Sequence, residues 1–293
     1  MHDIADLIAR HAVVTLLIAT TALLFAMVAT WQLMTRYMPR AWPFIVDAWN
    51  AFRRSSVAAR LRRVHLIGPS LTGALTAARY LGIYAVLAFI VAASAGVAFL
   101  ALADEIGVDE DLGEFDVVLS DAFRTHLTPG TLQAFAWITR LGDSGVLIVI
   151  GAVVAAVLLV LRERLLALAW LVATVSGGAL VRVLKSAFER ARPLHDHGLT
   201  VETSWSFPSG HAAGSMLVYG LLTYFLVRRV PAAWRLPIAL VMAAVIIFVG
   251  SSRVLLQVHY LSDVLAGYAV AAAWAALCIA GLEAVRWQMR QSR

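Results

Sequence analysis

Seven runs of this chain, 13–33, 80–103, 145–161, 165–184, 212–227, 236–254 and 264–285, are apolar enough to leave water. A helix needs about 20 such residues to cross the hydrocarbon core of a bilayer. Inside that core every backbone polar group must be satisfied within the protein, which favours helices. The expected fold is therefore all-α, a polytopic membrane helix bundle. Composition agrees: of 293 residues, 61% are hydrophobic and 14% charged, against about 25% charged in a soluble domain. The first run follows MHDIADLIAR, is too long for a cleavable leader and lacks an A-x-A site. It reads as a retained anchor.

The charges are few and unevenly placed. Sixteen of the 24 Lys and Arg residues fall in 35–79, 162–164, 228–235 and 286–293, alternate connections that share one side of the membrane. The positive-inside rule makes that side cytoplasmic. The other side receives 104–144, 185–211 and 255–263, and the first of these holds nine of the 18 acidic residues. A net charge of +6 arising this way needs no nucleic acid, and the expected partners are the bilayer and a substrate within it. Cys278, the one cysteine, lies inside the last apolar run, which excludes an intramolecular disulfide, a cysteine metal cluster and thiol chemistry at a loop.

Two connections have their own character. The linker 35–79 mixes Trp42, Phe44, Trp49 and Phe52 with Arg53, Arg54, Arg60, Arg62 and Arg63, the pattern of an interfacial amphipathic helix resting on anionic headgroups. The acidic stretch ADEIGVDEDLGEFDVVLSDAF resembles a calcium loop in composition only, since position 12 counted from Asp109 is Ser120. It is expected to be a solvated loop. His195, Asp196 and His197 are adjacent, and three neighbours in one loop do not easily face one ion.

Ionisable groups at membrane depth are costly, so clusters of them mark function. There are three. KSAFERARP ends the fourth run with Lys185, the only lysine in the chain, and Arg192 seven residues on, expected two helical turns along one face before Pro193 ends the helix. PSGH at 208–211 offers Ser209 as an N-cap, with the first-turn amides around Gly210 and His211 pointing outward as an anion site. SRVLLQVHYLSD places His259 and Asp263 four residues apart, so the carboxylate reaches one imidazole nitrogen and leaves the other available. Alternating spans bring all three clusters to one side. Lys185, Arg192 and Arg253, with helix N-terminal amides, describe a cradle for a tetrahedral oxyanion; two histidines and an aspartate supply nucleophile, orienter and proton donor.

These residues resemble the type 2 phosphatidic acid phosphatase superfamily, related to the vanadium haloperoxidase and bacterial acid phosphatase core, whose pattern is K-x6-RP, PSGH and SR-x5-H-x3-D. Lys185 to Arg192-Pro193, Pro208-Ser209-Gly210-His211, and Ser252-Arg253 to His259 to Asp263 fill every position at the right spacing. TRLGDSG at 139–145 and HYLSDVLAG at 259–267 are also similar to the family. The resemblance covers roughly 80–285 and implies a six-helix phosphatase core, with one extra N-terminal transmembrane helix outside it. Two units are therefore expected: 1–79, an anchor and Arg-rich linker, and 80–293, the catalytic membrane domain.

The resemblance implies that His259 attacks phosphorus to give a phosphohistidine, that Asp263 holds its tautomer, and that His211 protonates the leaving alkoxide and then activates water. Lys185, Arg192, Ser209, Gly210 and Arg253 bind the phosphoryl oxygens, with no cofactor and no metal. The expected activity is hydrolysis of a lipid phosphomonoester or diphosphate at the outer face of a bacterial inner membrane. Phosphatidic acid, phosphatidylglycerol phosphate, an isoprenyl diphosphate and a phosphorylated lipid A all fit. Alternatives are phosphoryl transfer to another lipid and a non-catalytic lipid-binding or transport protein.

Overall fold

The computed structural model describes residues 1–55, 81–107, 110–194, 197–200 and 202–291. Among these there is no strand, and the helices run α1 His2–Arg10, α2 Ala12–Arg54, α3 Leu81–Asp104, α4 Asp111–His126, α5 Pro129–Ile138, α6 Ser144–Val160, α7 Arg164–Phe188, α8 Gly210–Val227, α9 Ala232–Leu255 and α10 Leu261–Gln291. Seven segments of the described residues are long and apolar enough to cross a membrane, so the chain is an integral membrane helix bundle as its hydropathy requires.

The innermost span is α8. Of its residues 44% are buried, against 11% for the spans in α2 and α3, which turn nearly all their side chains outward. Leu217, Leu221 and Phe225 of α8 pack with Trp170 of α7 and Ala271 of α10, while the small Ala212 and Ala213 in its first turn let Gly267 of α10 approach closely. Trp170 is wholly buried, and its indole N–H donates to Gly151 O at 3.0 Å, so the one polar atom it brings inside is satisfied. α3 lies along α10, and α2 packs on α9. The large apolar side chains on the outside, Phe89, Ile148 and Val160 among them, are what a hydrocarbon solvent asks for.

Three expectations change. The run 145–161 is α6, but the apolar segment reaches back through a 3₁₀ turn, Thr139–Gly142, into α5, making one span of Pro129–Val160. Thr139, Gly142 and Asp143 interrupt the hydropathy, and the broken backbone is tolerated because the Tyr219 hydroxyl donates to Leu141 O at 2.8 Å. The acidic stretch is a helix, α4, rather than a solvated loop, and its Asp116 is 1% exposed. The linker does not begin a separate interfacial helix at residue 35: α2 continues unbroken to Arg54 across Pro39 and Pro43. The rest of that linker, 56–79, with Arg60, Arg62 and Arg63, lies outside the described residues, as do His195 and Asp196.

The N-terminal segment packs onto the core. Ala5 and Ala9 of α1 are buried in a cluster that includes Leu119 and Phe123 of α4, and His126 pairs with Asp6 at 2.6 Å. α1 therefore sits at the bundle end where α3, α7 and α9 finish.

At that end the PSGH turn is fixed from two sides. Phe207 is wholly buried between Phe99 and Phe188, with ring centroids 5.6 and 4.9 Å away. Gly267 of α10 lies against the turn so closely that an added Cβ would stand 2.7 Å from Ser209 O. A backbone carbonyl cannot give way as a flexible side chain can. Gly267→Ala is expected to destabilise the protein by about 1–3 kcal/mol, the usual cost of overpacking, and to lower its melting temperature more than an Ala substitution at the open Gly281; thermal melts of the two variants in detergent check this.

Candidate active site

The end of α7 sets where the first cluster lies. Glu189 takes a left-handed conformation, φ 46°, and its N–H closes on Lys185 O at 3.1 Å. The helix stops there, three residues before Arg192. Arg192 is thus not two turns along the Lys185 face; it approaches on the loop that follows. The Lys185 ammonium, buried, donates to the carbonyls of Trp205 and Ser206. Arg192 ties the same loop, with Nε on Ser204 O at 2.7 Å, and reaches Val258 O at 2.6 Å. The two cations that precede PSGH thus shape the segment leading into it.

Ser209 caps α8, its hydroxyl accepting from Ala212 N at 3.5 Å, while its own N–H donates to Asp263 O at 2.9 Å. The last bond splices the start of α8 to the start of α10. Gly210 and His211 open the helix, where N–H groups have no intrahelical acceptor. His211 Nε2 donates to Asp143 Oδ1 at 2.9 Å, from the N-cap position of α6.

His259 arrives by a tight turn at the end of α9. Gln257 is left-handed, φ 52°, and the N–H groups of Val258 and His259 both return to Arg253 O. Asp263 is the third residue of α10 and reaches back to the Tyr260 N–H at 2.9 Å, half of a capping box. The four-residue spacing therefore works across a helix start rather than along a helical turn. Its Oδ2 lies 3.3 Å from His259 Nδ1, and the Ser206 hydroxyl donates to the same oxygen. Arg192 Nη1 stands 3.0 Å from His259 Nε2. A guanidinium only donates, so Nε2 carries the lone pair and Nδ1 the proton. His259 is wholly buried, and burial pushes its pKa down to about 3 against the pull of Asp263, keeping the imidazole neutral.

Beneath this pair lies a network that the motif reading missed. Arg190 donates to Asp263 Oδ1 and Ser262 Oγ, each at 2.7 Å, and to Asp116 Oδ2 at 2.9 Å, with its guanidinium 4.3 Å over the Tyr260 ring. Asp116 also accepts from Ser262 N at 3.2 Å. Burial raises the Asp116 pKa, opposed by Ser262 and Arg190. Arg190 was visible in KSAFERARP but had no assigned task. Asp116 was one acid among nine in its stretch, and nothing in its spacing sets it apart.

Arg253 is 1% exposed. Its Nη1 donates to Thr139 Oγ1 at 2.8 Å and its Nη2 to Glu202 Oε1, while its Nε is buried with no partner. Glu202, also unremarked in the sequence, lies 3.6 Å from Arg192 Nη2 through its other oxygen. All eight residues singled out from the sequence, Lys185, Arg192, Ser209, Gly210, His211, Arg253, His259 and Asp263, thus fall at one end of the bundle, on elements that bond directly to one another. Among the described residues no group of His, Cys, Asp and Glu could hold a metal ion.

A histidine fixed by a buried carboxylate, an arginine on its far nitrogen with a second buried arginine nearby, and a second histidine at a helix start describe an integral membrane phosphatase. Residues 166–287 match the PAP2 superfamily. Phosphatidylglycerophosphatase B of Bacillus subtilis (strain 168) is 32% identical over 158 residues, 53% of this chain and 77% of that protein. The crystal structure of a transmembrane PAP2 type phosphatidylglycerolphosphate phosphatase from Bacillus subtilis superposes with a TM-score of 0.62 at 30% identity, covering 66% of this chain and 96% of that one. The chain belongs to the PAP2 superfamily, as a lipid phosphatase of the membrane-embedded kind.

The neutral state of His259 has a measurable consequence. Its folded pKa lies below the ordinary 6.5, so as pH falls through 6.5 the unfolded chain takes up a proton that the folded chain refuses. This contribution to stability is complete above about pH 7 and is lost toward acid, at up to about 1.4 kcal/mol per pH unit. The stability difference between wild type and His259→Asn, followed by denaturation in detergent from pH 8 to pH 5, is expected to shrink as pH falls.

Proposed function

We propose that the protein hydrolyses the phosphomonoester or diphosphate of a lipid through a phosphohistidine on His259, at the outer face of a bacterial inner membrane. The carrying observation is that His259 Nε2 bears its lone pair toward Arg192 while Nδ1 is held by Asp263 and Ser206. In the first step Nε2 attacks phosphorus, the bond from phosphorus to the lipid oxygen breaks, and His211 gives that oxygen its proton. Nε2 of His211 is turned to Asp143, so Nδ1 is the nitrogen that serves the leaving group. In the second step water attacks the phosphohistidine, His211 takes a proton from it, the N–P bond breaks and phosphate leaves. The cradle of Arg192, Arg253, Lys185 and the amides of Gly210 and His211 stabilises the charge spread over the equatorial oxygens. The unpartnered Arg253 Nε supports this reading, since a buried donor without an acceptor is costly in the empty protein and useful in the loaded one.

Residues 80–293 are the catalytic unit in this reading, and 1–79 an N-terminal addition, of which α1 packs on α4 and α2 on α9. The Bacillus subtilis matches act, by their names, on phosphatidylglycerol phosphate, so that lipid is the first substrate to try. Purified protein in detergent is expected to release phosphate from it with EDTA present; loss of activity in EDTA restored by Mg²⁺ or Zn²⁺ would refute a metal-free cradle. With p-nitrophenyl phosphate, whose leaving group needs no acid, His211→Ala is expected to accumulate phosphoenzyme and His259→Ala to form none.

Orientation rests on the positive-inside rule. In a Cys278→Ala background, a cysteine at 197 is expected to react on intact cells with an impermeant thiol reagent and one at 60 to stay unlabelled. The reverse pattern inverts the topology.

A further inference from the structure

Glu202 stands against two of the proposed phosphoryl-binding arginines and has no part in the proposed chemistry. It lies on the loop between α7 and α8, on the wall of a cleft of about 420 Å³ shared with Arg190, Arg192, Ser204 and Trp205. One of its oxygens accepts from Arg253 Nη2, and the other lies 3.6 Å from Arg192 Nη2. Burial raises its pKa, but Arg253, His211, Arg192 and His259 together draw it below the ordinary glutamate range, so the group is a carboxylate surrounded by the residues assigned to the phosphoryl group. A planar anion bridging two arginines satisfies donors that a tetrahedral anion would otherwise satisfy.

We propose that Glu202 is an internal competitor for the phosphoryl site, whose grip on Arg253 and Arg192 sets the affinity an anion must exceed before it can occupy the cradle. The inference rests on the reading of the site given above.

The need for such a threshold follows from where the site lies. At headgroup depth the surrounding anions are mostly phosphodiesters, each with a single negative charge, at a local concentration far above that of any phosphomonoester intermediate. An open cradle of arginines would be filled by them. A phosphomonoester carries about −1.5 to −2 charges at pH 7 and presents three unsubstituted oxygens, where a diester presents two. Competition by Glu202 lowers the apparent affinity of every anion by the same factor: it raises the diester's dissociation constant above its ambient concentration, so the resting cradle is held by Glu202 and not by a headgroup, while the intrinsic preference for the monoester is unchanged. Arg192 also contacts His259 Nε2 in the resting site, so drawing Arg192 onto an incoming phosphoryl group releases the nucleophile's lone pair as Glu202 is displaced.

The test measures binding and not turnover. Tungstate, a tetrahedral dianion, is titrated calorimetrically into the purified full chain in nonionic detergent, and dioctanoylphosphatidylglycerol, a phosphodiester, is titrated as its competitor. Glu202→Gln is expected to tighten both ligands by a similar factor, about tenfold, the scale of one charge-assisted hydrogen bond. Glu202→Asp keeps the charge but shortens the reach, and is expected to move both affinities in the same direction. Unchanged or weaker binding in Glu202→Gln overturns the proposal. So does tightening of tungstate by far more than the diester with Glu202→Asp unchanged, because a simple loss of field acts in proportion to ligand charge. Arg192→Ala separates the two readings. If it leaves tungstate binding intact, the cradle itself is misassigned and the competitor falls with it; if it abolishes binding while the Glu202 variants match wild type, only the competitor falls.

Discussion

The carboxylate of Asp263 holds the site together. It is wholly buried at the start of α10 and accepts from Arg190, from Ser206 and from the Tyr260 N–H, with His259 Nδ1 3.3 Å away. Its backbone carbonyl receives Ser209 N–H. One residue thereby joins the loop after α7, the cap of α8, the turn after α9 and the first turn of α10. A buried charge is tolerable only when donors surround it, so the cost of placing Asp263 here is met by the same contacts that bring the catalytic groups into register. Removing any one donor leaves charge uncompensated and loosens several elements together.

That arrangement also explains why the electrostatics are layered. Arg190 stands between Asp263 and Asp116 and is satisfied by both, while Arg192 and Arg253 turn to Glu202 instead. Asp143 does for His211 what Asp263 does for His259, but from an exposed position on a helix start. The two histidines thus sit in different surroundings: one sealed and neutral, the other at the edge of the site where protons can be exchanged with water.

Much of this was legible in the sequence because membrane interiors reject polar groups. Lys185, Arg192, His211, Arg253, His259 and Asp263 stand out against apolar runs, and their order and spacing identify the family. Their partners were not legible. Asp116 is hidden among acids of its own stretch, Glu202 is one of three acids in a polar loop, and only the folded chain shows that both lie under or across the site. Hydropathy located the spans but misjudged α5 and α6, because a polar interruption that the Tyr219 hydroxyl satisfies looks, residue by residue, like the edge of a loop. Even the apparent regularity of K-x6-RP is not helical: Glu189 breaks the helix, and the spacing measures a loop.

The contact of α1 with α4 links the beginning of the chain to the floor of the site. The buried face of α4 carries Asp116 together with Leu119 and Phe123, the last two packed beside Ala5 and Ala9. During synthesis α1 is made roughly a hundred residues ahead of α4, and Arg190 and Ser262 follow later still. α1 therefore waits for α4 until the middle of the chain has been made, and Asp116 waits for its cation until α7 is complete. Assembly of this end of the bundle is a closing of long loops, complete only when residues as far apart in the chain as Asp116, Arg190 and Asp263 have met.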